Sequence, residues 1–304
     1  AELVAAGVWL GGALMILGGT RLVEPLQRRI PVACVRALQL GLGIKVIGAG
    51  VRLITRSGNW LPTTSNLDCM LSGAVAAAVA LVCYGRRHVP ASVIVCALGM
   101  LGVVLSRPEL DLALSSPVSA VPSISAEAWW RGLYRVALPQ LPVTLLNSVV
   151  ATAKLAEDLY PNKAPGVSRI SCSVGVMDLT TAWFGHFPSC HGCGGLAGQH
   201  FFGARTGSSM VLMGALKMAL ALALGPNMLV LFEAFPKSVI GVLLAVSGVE
   251  LTVPCRDMRS RADIVVMVLG AGLVLQLGTG VAFLLSFVVA YVLRLQPHLH
   301  VVDR

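Results

Sequence analysis

Long apolar runs separated by short polar turns set the pattern of this chain. A helix needs roughly 20 residues to cross hydrocarbon, and by that measure the runs predict about eleven membrane segments. They lie near 3–19, 31–51, 69–84, 89–105, 132–153, 170–187, 191–202, 208–224, 228–249, 262–277 and 279–293. The run at 191–202 is too short and too rich in glycine for a full span. The pattern therefore predicts an all-α multi-pass membrane protein with one half-helix.

Composition supports the membrane prediction. The chain is 56% hydrophobic and 12% charged, whereas about 25% of residues are charged in a soluble domain. Its net charge of +9 does not indicate nucleic-acid binding, because the basic residues lie in short turns without interleaved aromatic residues. No Ser-His-Asp arrangement, phosphate-binding loop or dinucleotide fingerprint is present, so the sequence indicates neither an enzyme nor a cofactor.

The basic residues predict an orientation in the bilayer. If the first segment runs from outside to inside, most basic residues fall in inner loops, as the positive-inside rule requires. The C-terminus is then cytoplasmic, in the plasma membrane or in an organellar (vacuolar or mitochondrial) membrane. The outer loops hold Arg52, Arg56, Arg107, Arg131 and Arg135, and the inner loops hold Arg21, Arg28, Arg29, Arg86, Arg87, Lys154, Lys163, Arg169, Arg205, Arg256, Arg259, Arg261, Arg294 and Arg304.

A stretch rich in serine and proline divides the chain. Residues 106–130 end in Trp129-Trp130, and such amphipathic rings settle at a membrane interface. We therefore predict an external linker there. The front part, 1–105, has four segments, and the back part, 131–304, has seven, including the half-helix at 191–202.

The region from Phe184 to Gly207 carries seven glycines and no carboxylate. Irregular backbone at membrane depth survives only where it is buried in protein or lines a wet cavity, and transporters aim the positive end of a half-helix at an anion. We expect backbone N–H groups here to form a nest for an anion. The alternative is close helix packing through small residues. The predicted contacts are His191, Gly192, Cys193, Gly194 and Gly195, with Gln199 further along the half-helix.

A second polar group lies on the segment at 132–153. Gln140, Thr144, Asn147 and Ser148 are spaced by three and four residues, which places them on one face of a helix. Neutral donors suit an oxyanion, since they hydrogen-bond to it without the repulsion of a carboxylate. The alternative is that these side chains only join helices or bond to their own turn.

Cys190, His191 and Cys193 also allow a metal or redox interpretation. A structural zinc site takes four ligands, usually as two separated pairs, and the chain has a single CxxC. We therefore predict no metal.

Several ionisable residues fall within or beside apolar segments, where such groups are functional hypotheses by default. Most lie near enough to a helix end to extend the charge to the interface; Lys45 and Lys217 are the expected exceptions. Glu250 is a candidate for proton coupling. The full set is Arg36, Lys45, Asp178, Lys217, Lys237 and Glu250.

Five motifs resemble the molybdate transporter family of plants and algae, a branch of the sulfate-permease superfamily. They are Ile30-Pro-Val-Ala-Cys-Val-Arg-Ala-Leu-Gln-Leu40, Gln140-Leu-Pro-Val-Thr-Leu-Leu-Asn-Ser-Val149, Trp183-Phe-Gly-His-Phe-Pro-Ser-Cys-His-Gly-Cys-Gly-Gly-Leu-Ala-Gly-Gln199, Phe202-Gly-Ala-Arg-Thr-Gly207 and Phe235-Pro-Lys-Ser-Val-Ile-Gly-Val-Leu-Leu244. The resemblance implies an inverted-repeat transporter of the sulfate-permease/uracil-permease-like kind, with core and gate domains. It further implies molybdate transport by alternating access, with the anion between two half-helices. The expected partners are molybdate and the lipid bilayer, with a homodimer left open and no nucleic acid.

Two departures from the family pattern alter these expectations. The first repeat's Gly-Asp-Leu-Gly-Thr-Phe-like segment and Met-Pro-Val-Gln-Pro-Met-Lys-like half-helix do not occur, which implies that the sequence starts at the fourth segment. Cys193 stands where the family more usually has alanine. Three alternatives stay open: a carrier of sulfate or a related oxyanion, a truncated homologue that does not transport, and a metal- or redox-sensing membrane protein.

Overall fold

The computed structural model describes residues 1–62, 67–83, 91–108, 123–225 and 227–294, and the regular elements in this part of the chain are helical. The helices are α1 (Glu2–Gly19), α2 (Val23–Arg29), α3 (Val32–Thr55), α4 (Met70–Val82), α5 (Ala91–Ser106), α6 (Ala126–Leu159), α7 (Val167–Thr181), α8 (Cys193–Phe201), α9 (Ser208–Leu224), α10 (Asn227–Ala234), α11 (Lys237–Thr252), α12 (Arg261–Leu277) and α13 (Thr279–Arg294). Short 3-10 turns follow α7 at Ala182–Phe184 and α11 at Val253–Asp257.

Several described helices are long and apolar enough to cross a bilayer. Four pass on length and hydropathy, and the pair α9 and α10 makes a fifth if taken as one broken span. Shorter apolar helices are Met70–Val82, Val93–Ser106 and Thr279–Arg294. The full-length candidates are Glu2–Gly19, Val32–Thr55, Ala126–Leu159 and Lys237–Asp257. This all-helical, apolar architecture confirms the predicted fold class at the level of a helical membrane protein.

The described helices differ from the predicted segments by, among other things, a broken run and an additional helix. The run at 228–249 forms two helices, because Pro236 interrupts it between α10 and α11. Proline lacks an N–H donor and disfavours helical backbone in the residue before it. The short helix α2 was not predicted at all, since its seven residues include four polar or charged side chains and no apolar run.

The chain packs as two compact units. The first comprises Ala1–Ile44, Val118–Leu196 and Leu251–Arg304, and the second comprises Lys45–Pro117 and Ala197–Glu250. The units alternate along the sequence, so they do not test the predicted repeat boundaries at 105 and 131. Arg86, Arg87, Arg304 and most of the predicted linker at 106–130 lie outside the described residues.

In the first unit, α1 and α7 approach closely through glycine. A Cβ on Gly11 would lie 2.9 Å from the carbonyl oxygen of Gly175, and a Cβ on Gly175 would lie 2.9 Å from that of Gly11. Small residues let helix backbones come together in this way, which is how membrane helices pack without a strong hydrophobic driving force. Beside this crossing, Leu10 of α1, Val149 of α6 and Val174 of α7 make part of the buried core.

A buried ion network also lies in the first unit. Arg36 on α3 is 1% exposed, and its guanidinium lies 2.6 Å from Asp158 Oδ2 and 2.5 Å from Asp257 Oδ2. It also donates to Gln39 Oε1 at 2.8 Å. The expectation that Arg36 extends to the interface is therefore wrong: its charge is paired inside the unit, as buried charges require.

The second unit has its own close crossing. A Cβ on Gly50 of α3 would lie 2.4 Å from the carbonyl oxygen of Gly241 on α11. Nearby, the Ser72 and Ser238 hydroxyls are 2.9 Å apart, and the Ser238 N–H donates to Asp68 Oδ1 at 2.9 Å. Lys45 and Lys217, the predicted exceptions among the membrane charges, are both exposed.

Candidate anion-binding site

The polar stripe lies where α6 departs from regular α-helical geometry. Residues Leu133–Ala137 and Thr144–Ala151 form wider π-helical turns on either side of the two prolines at 139 and 142. A proline inside a helix removes one hydrogen bond and crowds the carbonyl four residues earlier. Such π-helical turns occur frequently at functional sites.

The predicted stripe is exposed at one end and buried further along. Gln140 is exposed and donates from Nε2 to Thr144 Oγ1 at 3.3 Å, whereas Thr144 and Ser148 are buried. Asn147 is half-buried, and its Oδ1 has no hydrogen-bond partner among the described residues. Asn147 is thus the stripe member whose side chain has spare hydrogen-bonding capacity.

The backbone leaves helical geometry between α7 and α8. Gly185 has φ +74°, a left-handed conformation that glycine adopts without steric cost, and it ends the 3-10 turn after α7. Residues 186–192 are non-helical, and α8 starts at Cys193. The nine residues Cys193–Phe201 form a short helix within 191–202, the range in which a half-helix was predicted.

Side chains of α7 fix the non-helical segment. The Ser189 N–H donates to Asp178 Oδ1 at 2.5 Å, and His191 Nε2 lies 3.0 Å from Ser173 Oγ. The imidazole of His191 is consequently engaged with α7 on one of its two nitrogens. The backbone of His191 is held as well, since its carbonyl oxygen lies 3.3 Å from Thr152 Oγ1.

The start of α8 is joined to the π-helical turn of α6. The buried Cys193 thiol donates to the carbonyl oxygen of Asn147 at 3.1 Å and lies 3.0 Å from Thr152 Oγ1. Thr152 Oγ1 is also 3.3 Å from the Asn147 carbonyl oxygen. This junction of Asn147, Thr152 and Cys193 brings two of the predicted site elements together.

The glycines at the start of α8 face open space. A Cβ added to Gly192, Gly194 or Gly195 would meet no atom within 4 Å, whereas one on Gly198 would lie 2.2 Å from Ser247 Oγ. Close helix packing thus accounts for Gly198 but not for the three glycines before it. The N–H groups of a helix's first turn have no partner within the helix, so a small anion can approach them here.

Two of the predicted residues belong to the second unit. Gln199 lies near the end of α8, and Glu250 lies near the end of α11; both are half-buried.

Three residues that contribute to the site were missed or misjudged from sequence. Thr152 continues the four-residue spacing of Gln140, Thr144 and Ser148, so that period could have revealed it. Asp178 was noted only as a charge near a segment start. Ser173 gave no signal, because its role depends on a contact with His191 across a break in the helix.

The cysteine motif does not form a metal centre within the described chain. Cys190 is exposed and Cys193 is buried in the junction with Thr152. Among the residues that the structure describes, no three His, Cys, Asp or Glu side chains are grouped so that they could share an ion.

Comparison with known proteins identifies the family. The family described as "Molybdate transporter of MFS superfamily" matches residues 132–251, a range that holds every predicted site residue. Molybdate transporter 2 of Arabidopsis thaliana is 31% identical over 99% of this chain and 73% of its own length. This chain belongs to the molybdate transporter family. Molybdate transporter 1 of the same plant is 33% identical over 88% of this chain, and molybdate transporter 1 of Chlamydomonas reinhardtii is 37% identical over 87%.

Family membership and the apolar helices together make this an integral membrane protein. The chain spans 66% and 54% of the lengths of the two relatives named molybdate transporter 1. The molybdate transporter family's description names the MFS superfamily, whereas the motifs above resemble sulfate permeases.

Proposed function

We propose that this protein carries molybdate across a membrane, with the anion held at the N-terminus of α8. The observation that carries the proposal is the open space beside Gly192, Gly194 and Gly195, at the positive end of a helix. The relatives named molybdate transporters support molybdate as the cargo. Because these relatives are named transporters, the proposed function is transport without a chemical reaction.

The chemistry of the α8 start suits a tetrahedral dianion. First-turn N–H groups donate hydrogen bonds to negative oxygen and add the partial positive charge of the helix end. Asn147 is joined to this turn through Cys193. Rotation of its side-chain amide lets Nδ2 donate a hydrogen bond to the anion. Thr144 and Gln140 extend the set of neutral donors along α6.

Transport by alternating access requires a moving part, for which the proposed architecture is an inverted repeat with a core and a gate domain. A homodimer, a cytoplasmic C-terminus and coupling through Glu250 remain parts of this proposal. A carrier of sulfate is the second candidate, because sulfate has the same shape and charge as molybdate and the same donors serve both. A homologue that does not transport is the third.

The test is uptake of labelled molybdate by cells that lack their own carrier and express this chain. We expect saturable uptake that persists in a large excess of sulfate, and weakened uptake by Asn147→Ala at equal membrane abundance. Uptake abolished by sulfate would favour the sulfate carrier. No uptake by correctly inserted protein would refute transport by this chain, and normal uptake by Asn147→Ala would refute the assigned site.

A further inference from the structure

Asp178 is a buried carboxyl group next to the candidate site. Its side chain is 0% exposed on α7. Oδ1 accepts the Ser189 N–H, while Oδ2 has no hydrogen-bond partner among the described residues. A buried carboxylate with an unsatisfied oxygen is costly in a membrane protein, and such groups mark ion and proton pathways.

The neighbours of Asp178 provide little positive charge to offset an anion. On the α1 side it faces glycine: a Cβ on Gly11 would lie 2.9 Å from Asp178 Cβ. The ionisable group of α1 is Glu2, which pairs with Arg131 at 3.6 Å. The π-helical turn of α6 at Thr144–Ala151 has no ionisable side chain.

The remaining charges near α7 are remote or exposed. Helix α2 carries Glu24, Arg28 and Arg29. The Glu24 carboxylate accepts a hydrogen bond from the Ser168 hydroxyl at 2.9 Å. Ser168 is ten residues before Asp178, which corresponds to about 15 Å along a helix. The segment after α7 holds two histidines: His186 is exposed, with Nδ1 3.2 Å from Ser189 Oγ, and His191 Nε2 lies 3.0 Å from Ser173 Oγ.

We propose that Asp178 is a proton-binding site that couples proton movement to anion transport. A proton adds to Oδ2, which converts the carboxylate to a neutral acid, and it leaves from the same oxygen later in the cycle; no other bond is made or broken. A metal cation is a poor fit, because within the described residues Asp178 belongs to no group of three or more His, Cys, Asp or Glu side chains that could hold one.

The bond to Ser189 links this proton to the anion site. As a carboxylate, Asp178 forms a charge-assisted hydrogen bond, which is roughly twice as strong as a neutral one. Protonation weakens that bond and so loosens the segment that leads into α8. It also removes a negative charge before a dianion arrives. This inference rests on the proposed transport function.

The test uses the full chain in lipid vesicles that contain a pH-sensitive dye, with the membrane potential clamped at zero. We expect an inward proton gradient to drive molybdate accumulation by the wild-type protein, by about tenfold per pH unit for each coupled proton. The dye should report a matching proton influx. Asp178→Asn keeps an acceptor for Ser189 and should retain molybdate exchange while losing both gradient-driven accumulation and the proton signal. Glu127→Gln, an exposed carboxyl change, should behave as wild type.

Several results would overturn the proposal. These are wild-type accumulation that follows a sodium gradient, wild-type transport without proton movement, and gradient-driven accumulation that survives in Asp178→Asn. Protonation of molybdate itself would persist in Asp178→Asn and is thereby separated from protonation of the carrier.

A second measurement does not depend on transport or on the variant. Dicyclohexylcarbodiimide reacts with protonated carboxyl groups in apolar surroundings, so we expect labelling of Asp178 in wild type that falls as the pH rises. A label that is absent, or independent of pH, contradicts a proton site. If wild type moves no molybdate at all, the proposed function fails, and this labelling still decides whether Asp178 binds a proton.

Discussion

Replacing Gly195 by alanine separates an anion site from a packing role at the start of α8. A Cβ at this position meets no atom within 4 Å. In a helix interior alanine is about 1 kcal/mol more favourable than glycine, so folding should be unchanged or slightly improved. Since the Cα–Cβ bond of a helical residue tilts toward the N-terminus, the new methyl group enters the space that an anion would occupy.

The expected loss follows from one displaced hydrogen bond. A hydrogen bond to a charged group contributes about 1.5–3 kcal/mol, which corresponds to roughly a 10- to 150-fold weaker affinity for molybdate. The assay is concentration-dependent uptake, with KM compared at equal membrane abundance, together with the thermal unfolding of the purified protein. The expected result is a raised KM with an unchanged or higher Tm.

Two other glycines serve as matched controls. Gly272 in α12 also faces open space, so Gly272→Ala should leave KM near wild type with an unchanged or slightly higher Tm. Gly198→Ala forces a Cβ to 2.2 Å from Ser247 Oγ and should lower the amount of folded protein. A Gly195→Ala protein with normal KM would refute the reasoning, because the site would then tolerate a methyl group where the anion is placed.

Five further changes test the junction beside the site and the buried ion network. Thr152→Val keeps the shape of the side chain but removes the hydroxyl between α6 and α8; we expect a stability loss of about 1 kcal/mol in thermal unfolding and reduced uptake, and unchanged uptake would count against the junction. Cys193→Ser retains a donor to the Asn147 carbonyl and should transport, whereas Cys193→Ala should transport less; equal uptake by the two would show that the thiol bond is dispensable. Arg36→Leu should lower the free energy of unfolding, because Asp257 loses its Arg36 partner and Asp158 keeps only Lys154, at 3.5 Å. Asp257→Asn should cost less, since that side chain is 43% exposed; the reverse order in a denaturation series would contradict a buried role for Arg36.

Local pattern determined how much of the fold could be predicted. The run at 208–224 coincides with α9, and 3–19 differs from α1 by one residue, because each helix lies in a long apolar run with a single charged residue, Glu2 in α1 and Lys217 in α9. Helix α6 extends well beyond the predicted 132–153, to Ala126–Leu159. Its ends are amphipathic, with Glu127 and Lys154 in ion pairs, and a search for apolar runs does not register them.

Long-range contacts explain what could not be predicted at the site. Glycine density was enough to predict a break and a half-helix near Cys193, since both depend on local backbone preference. The pairing of Arg36 with Asp158 and Asp257 joins residues 122 and 221 positions apart, and no local pattern encodes it.

Side chains of α7 and α6 hold the start of α8, while its glycines face open space. Asp178 and Ser173 of α7 fix the segment before it, and Thr152 of α6 fixes Cys193 at its first residue. A loop held in this way loses little conformational entropy when a ligand binds, since its ordering cost is met during folding. Two of the three anchors are neutral and the third is a carboxyl group, so none of them supplies positive charge to a dianion. Attraction for the anion then comes from the N–H groups and the helix end themselves. A negative charge on Asp178 opposes that attraction, so in the proposed cycle its protonation favours anion binding.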